Sequence, residues 1–441
     1  MPRFLADLTP LKVSPAFRRL WIGNALSAVG SQLTLVAVSL EVYKLTGSSF
    51  HVGLLGAFAV VPLVVAGLYG GAVADHFDRR RVALASSAVL WGATAAIAAQ
   101  AWAGVENVWV LYGLIAVHSG AGGINQPTRG AIIPALVGTR LLPAANALNM
   151  VTFGVAMMVG PLLGGVLVAT VGYAWTYTVD VVTYLAALWA VFRLPPLPVA
   201  QPAADAGEAG TTAAAPRRRR VGLASVGEGF RFLATKPNVR MTFLIDLVAM
   251  ITAAPRALLP AIGAVLIGGG ETTVGVLLAA TALGAFLTGL FSGPLTRINR
   301  HGAAVYASVV AWGLCVGGFG VVVFLASRDP LSDGGGAGDW LWPAAAFMAL
   351  AGVADSVSGV FRNTILQSAT PDHLRGRLQG VFIVVVAGGP RVGEMVAGGA
   401  AGLAGEAWVM IGGGALCVVL ATVLVRWLPS FMRYDARNPT P

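Results

Sequence analysis

Stretch after stretch of this chain runs for about twenty residues with scarcely a charge, the length a helix needs to cross the hydrocarbon of a bilayer. About twelve such runs can be read. In the first half they fall near 18–43, 51–74, 82–103, 108–127, 145–170 and 174–193. In the second they fall near 241–266, 272–295, 303–326, 341–366, 380–403 and 407–427. With 56% hydrophobic and 11% charged residues, a chain of this size is too apolar for a soluble globule. The predicted class is an all-α polytopic membrane protein. Its 57 glycines suit that class, since small residues let membrane helices approach closely. Trp102, Trp109, Trp175, Trp340, Trp342, Trp408 and Trp427 sit at predicted helix ends, as an interfacial belt requires.

The net charge of +10 raises the question of nucleic acid, and its placement answers it. Lys44 and Arg328 fall in loops placed outside; Arg79, Arg80, Arg81, Arg217 to Arg220, Arg375 and Arg377 all fall on the other side. This is positive-inside topology with both termini cytoplasmic, in a bacterial cytoplasmic membrane, and no nucleic-acid partner is expected. Cys315 and Cys417 lie in apolar runs and predict free thiols. The first seventeen residues show no signal-peptide core, so the first helix directs insertion. Residues 194–222 turn rich in proline and alanine and end in four arginines, reading either as a plain solvated tether or as one whose arginines meet anionic head groups; 223–233 reads as an amphipathic segment along the membrane surface. The expected division is therefore 1–193, a six-helix bundle; 194–240, a cytoplasmic linker with a basic run and an amphipathic segment; and 241–441, a second six-helix bundle with a short tail.

The tract GGAVADHFDRRRV, 70–82, carries a resemblance. Gly71, Ala74, Asp75, Arg79 and Arg80 resemble the loop between the second and third helices of the major facilitator superfamily, with His76 and Asp78 where that pattern has a basic residue and a glycine. An acid at that glycine position before a basic pair is similar to the exporter branch containing enterobactin and macrolide efflux proteins. RNTILQSATPDHLRGRLQG, 362–380, resembles the matching loop of that branch, with a short helix starting at Pro371 and Thr370 as its cap. The halves also echo one another: Gly71 with Gly293 at an offset of 222, Arg129 with Arg362 at 233, Pro161 with Pro390 at 229. The resemblance implies the major facilitator fold, twelve helices in two pseudo-symmetric bundles.

It also implies roles. Gly71, Asp75, Arg79 and Arg80 form a conformational switch in which Asp75 latches the halves at the start of the eleventh helix, near Gln379 to Val381. Gly160, Pro161, Gly164 and Gly165 resemble the superfamily's exporter motif; ordinary small-residue packing is the plainer reading. Ionisable groups inside the membrane are the stronger clue to transport, since each costs about 2.5–3.5 kcal/mol at the helix centre. They are Asp180, Asp246, Arg256, Asp355, Arg362, Arg391 and Glu394. The cavity-lining helices implied by the resemblance favour Asp246, Arg256, Asp355 and Arg362, and make Asp180 a structural cap near the outer face. Arg391 and Glu394, three apart, share a face and can neutralise each other. Asp355 beside Arg256 is the first choice for proton coupling, followed by Asp246 and Glu394. Asn24, Ser27, Ser31 and Gln32 offer polar contacts on one side of the first helix, either to substrate or to other helices, and His118 reads as a packing residue.

The function predicted is export of a small molecule, a siderophore or an amphipathic drug, by alternating access and proton antiport; a broad macrolide or multidrug pump is the alternative, and an importer or membrane sensor stands behind both. No catalytic residue, metal or cofactor is expected. No P-loop is present to bind ATP, and no histidine has Asp five positions on. The expected partners are substrate, protons and lipids, and the expected state is a monomer.

Overall fold

The computed structural model describes residues 7–195, 231, 233–329, 338–369 and 372–437, and within these it leaves undescribed the side chains of 68–76, 139, 296, 338, 372–384, 386 and 387. Among the described residues every long element is a helix. After a one-turn helix, Thr9–Val13, α1 (Pro15–Thr46) opens with a proline in its first turn and Ser14 accepting from the backbone N–H of Phe17. It stops at Gly47, whose φ of 60° ends the helix in the left-handed region. α2 (Ser49–His76) and α3 (Arg79–Trp102) are separated by two residues only. The second of these, Asp78, caps α3 by accepting from the N–H groups of Arg80 (2.8 Å) and Arg81 (3.3 Å). The acid that departs from the family's glycine therefore acts locally, satisfying donors that the helix start would leave bare.

Residues 108–192 form a helical run broken by non-helical backbone at Gly138 (φ 70°) and Gly172 (φ 82°). Only glycine takes those angles freely, so the run divides into α4 (108–137), α5 (139–171) and α6 (173–192). α7 (Pro237–Thr252) is followed by α8 (Gly270–Leu290), α9 (His301–Ala326), α10 (Gly338–Ser368), α11 (Asp372–Ala404) and α12 (Glu406–Trp427). Two expectations change here. The seventh run, predicted continuous to 266, unwinds after Thr252: Ala253 is non-helical, Arg256–Leu258 is a 3₁₀ turn and Ile262–Leu266 a π turn. Pro255 has no N–H for the ladder and Pro260 repeats the defect one turn later, which is why the helix cannot close. The short helix expected before the eleventh span is instead the first part of α11 itself; Thr370 and Pro371 lie outside the described residues, as do Arg217 to Arg220 and most of the 194–240 linker.

Nine stretches among the described residues are long and apolar enough to cross a membrane, against the twelve runs read from the sequence. One of the nine, Arg140–Phe192, holds both α5 and α6. Apolarity faces outward: only 28% of the α12 window is buried, and Leu416, Val419 and Val423 are exposed. Such a surface is stable in lipid and not in water. Trp102, Trp109, Trp175, Trp342, Trp408 and Trp427 are exposed at helix ends, as a belt at head-group depth would be.

α1, α2 and α3 each pack on the α4–α6 run, while α9 packs on α10 and α12, α8 on α10, and α7 on α11 and α12. Two helix pairs chiefly join these groups, α2 with α11 and α5 with α8, and the unwound segment after α7 also touches α1 and α2. The side chains that meet across this seam cluster toward the end carrying the α1–α2, α7–α8 and α11–α12 turns. There the hydroxyl of Ser49 donates to Glu406 at 3.0 Å. A Cβ at Gly275 would stand 2.7 Å from the Pro161 carbonyl oxygen, so only glycine permits this approach of α5 and α8.

Candidate functional site

The charges that interrupt the apolar runs are gathered into three groups. In the first, α7 supplies Asp246 and α10 supplies Asp355 and Arg362. Asp355 and Arg362 are seven residues apart (362 − 355), about two turns, and share one helix face. Arg362 forms an ion pair through Nη1 with Asp246, and its Nη2 stands 3.6 Å from Asp355. Arg362 and Asp246 are buried, whereas the Asp355 side chain is 60% exposed. Asp355 lies mid-helix, and its partner Arg362 is held in turn by Asp246 of the neighbouring α7, so an exposed carboxylate is joined to a buried ion pair. The pairing of Asp355 with Arg256 read from the sequence is corrected: its cation is Arg362.

Arg256 belongs to the second group, placed by the unwound segment after α7. It lines a pocket on the seam with Arg391 and Glu394 of α11 and with Leu35, Val36 and Leu55 of the other half. The pocket encloses about 40 Å³, room for a few waters and far too little for a siderophore. Arg391 donates to Glu394 at 3.1 Å, so the i, i+3 pairing is formed, and Glu394 is buried. A Cβ at Gly56 of α2 would lie 2.9 Å from both the Arg391 Cδ and a Glu394 oxygen. The glycine surface of α2 thus presses on this ion pair and makes it part of the closed end of the seam.

The third group is in the first half. Arg129 of α4 donates through Nη1 to the side-chain oxygen of Asn24 and through Nη2 to Ser87 Oγ at 3.1 Å. Asn125 bonds Ser86 and Ser87 at 2.8 and 2.9 Å. Asn24 is therefore engaged between helices. Gln32 packs its stem against Gly160, with its carbonyl oxygen buried and unbonded. Asp180 is fully buried and accepts from Thr34 at 2.6 Å, which makes it an interhelical tie between α6 and α1 and corrects the cap expected near the outer face. His118 keeps a buried Nε2 without a hydrogen-bond partner. One functional candidate escapes the sequence pattern: Glu41, a buried acid near the end of α1 that accepts from Gln100 (3.1 Å) and Tyr177 (2.5 Å). Its signal is available, because it is the one acid in the first apolar run.

The two motifs divide. Arg79 donates to the carbonyl of Ala131 (3.2 Å) and Arg80 to that of Phe192 (2.7 Å), so both tie the α2–α3 turn to the α4–α6 run. The side chains at Gly71, Asp75 and Gln379 to Val381 lie outside the described residues, and with them the latch. Gly160 and Gly164 face α1, at Gln32 and at Leu33 and Val36, while Pro161 and Gly165 face Gly275 of α8. The four residues of the exporter motif thus pack one helix inside its own half and across the seam at once.

Residues 5–440 match a family described as transmembrane secretion effectors. The enterobactin exporter EntS of Citrobacter koseri is 28% identical over 440 residues, 99% of this chain and 98% of that protein. Among solved structures, a point mutant of the nucleoside transporter NupG superposes with a TM-score of 0.71 at 13% identity, covering 94% of this chain and all of that one. The peptide transporter PepTSo gives 0.71 at 12% identity, covering 96% and 99%. These likenesses establish a shared transporter fold.

Proposed function

Because this chain belongs to the transmembrane secretion effector family, we propose that it exports a siderophore of the enterobactin kind across the bacterial cytoplasmic membrane, by alternating access and in exchange for protons. Its membership and its fold bear out the major facilitator resemblance carried by the 70–82 tract, and the protein is a multi-pass membrane transporter of a small molecule. On the positive-inside reading both termini and the arginine-rich turns are cytoplasmic, and the protein works as a monomer among its lipids.

The observation that carries the proton coupling is the Asp246, Arg362 and Asp355 group. Two carboxylates and one guanidinium sum to one negative charge when all are ionised, so uptake of one proton makes the site neutral. Asp355 is the more exposed of the two acids and is therefore the one that loads. Neutrality lowers the cost of moving the group through a closed, dry intermediate, and release on the cytoplasmic side restores the charge. Asp246 stays with Arg362 throughout and positions it.

Inside-out vesicles given a pH gradient, acid inside, test the proposal. Wild-type protein is expected to accumulate enterobactin, and Asp355→Asn, equally folded, is expected not to. A broad drug pump is the second reading, since the family match describes secretion without a substrate. Accumulation of erythromycin without enterobactin would select it, and accumulation of neither would end the export account.

A further inference from the structure

The two halves echo one another in sequence and differ in charge. Asn24 stands nine residues into α1 (24 − 15) and Asp246 nine residues into α7 (246 − 237), at an offset of 222. Arg129 and Arg362 correspond at an offset of 233, and the same offset sets Gly122 opposite Asp355 (355 − 233). In both halves the arginine reaches back to the first helix of its bundle: Arg362 to Asp246, Arg129 to Asn24. Both acids of the second half are thus missing from the first, one replaced by an amide and the other by a glycine. The second half sums to −1, the first to +1.

Three observations show that this charge is left open. Among the described residues no carboxylate pairs with Arg129, whose partners are the neutral oxygens of Asn24 and Ser87. Its Nε is buried without a hydrogen-bond partner. A Cβ added at Gly122 would meet no atom within 4 Å, so space remains where the other half holds Asp355. A guanidinium in a membrane bundle with neutral partners, and with open space two turns along the same helix face, lacks only an anion.

We propose that Arg129, with Asn24, Ser87 and the space beside Gly122, binds an anionic oxygen group of the exported molecule, a carboxylate or a catecholate. The inference rests on the export reading. It divides the work between the halves: protons load on the second, the substrate's charge docks on the first. Arg129 is the specificity-determining contact, and the amide at Asn24 orients it without neutralising it.

Two variants restore the missing acids with little change in shape. Asn24→Asp recreates the Asp246 pairing, and Gly122→Asp places a carboxylate in open space two turns from Arg129. The full chain in lipid nanodiscs is titrated by tryptophan fluorescence with 2,3-dihydroxybenzoate, with uncharged catechol as the reference probe. Wild type is expected to prefer the anion, and Asn24→Asp, Gly122→Asp and Arg129→Gln are each expected to bind it at least about tenfold more weakly, as one lost charge-assisted contact implies. Binding of catechol is expected to change little, and the two acid-restoring variants are expected to melt within a few degrees of wild type. Unchanged anion binding in Asn24→Asp and Gly122→Asp would overturn the site. So would a wild type that does not prefer the anion, and pH-driven efflux of a cationic dye by that same protein would leave the exporter reading standing. Anion binding that depends on Arg129 without any driven efflux would sink the exporter reading and leave the site.

Discussion

Asp246 and Asp355 touch the same arginine and carry opposite risks. Asp246 is 4% exposed, and truncating it strands a buried guanidinium whose remaining carboxylate is 3.6 Å away. Asp246→Ala is expected to cost about 3–5 kcal/mol, read as a lowered melting temperature in detergent and a poorer yield. Asp355→Ala, whose carboxylate is already exposed, is expected to melt like wild type while losing proton coupling. The identity of these residues is legible in the sequence, because an ion in an apolar run declares itself by what it costs. Their partners are not. Helical spacing tells which residues share a face on one helix, as with Arg391 and Glu394 or Asp355 and Arg362, but which helices stand side by side is decided by packing; hence nothing in the sequence joins Asp246 to Arg362. Glu41 escapes notice because the donors that satisfy it, Gln100 and Tyr177, lie far along the chain.

Each side of α5 serves a different neighbour, since adjacent residues on a helix point about 100° apart. A Cβ at Gly164 would meet the Leu33 Cα at 3.3 Å, a contact that yields by a few tenths of an ångström. One at Gly165 would run into the backbone carbonyl of Glu271 and stand 3.1 Å from the Gly275 Cα. Gly165→Val is therefore expected to spread α5 from α8 and cut transport at least about tenfold, with each half still folded; Gly412→Ala, where a Cβ has open space, is expected to be silent. Initial transport rates in vesicles, normalised to folded protein by gel filtration, check both. The small-residue face of GPLLGG is visible in the sequence, but its division between α1 and α8 is not. The same holds for α7: Pro255 and Pro260 announce a defect, while the 3₁₀ and π turns that follow depend on where the freed backbone finds contacts.

Among the described residues the side chains that join the halves gather at one end, where Ser49 bonds Glu406 and the Gly53 and Gly56 surface of α2 rests on Glu394. If this end opens and closes in each cycle, Ser49→Cys with Glu406→Cys is expected to cross-link under mild oxidation and stop turnover, and reduction is expected to restore it; a cross-linked protein that transports normally would show that this end does not move. Transport stands or falls with coupling between the acid–arginine group and flux. In proteoliposomes loaded with a pH-sensitive dye, enterobactin movement and proton movement can be followed together. The prediction is paired fluxes in opposite directions for wild type and neither for Asp355→Asn. Substrate-dependent proton flux undiminished in Asp355→Asn would contradict it.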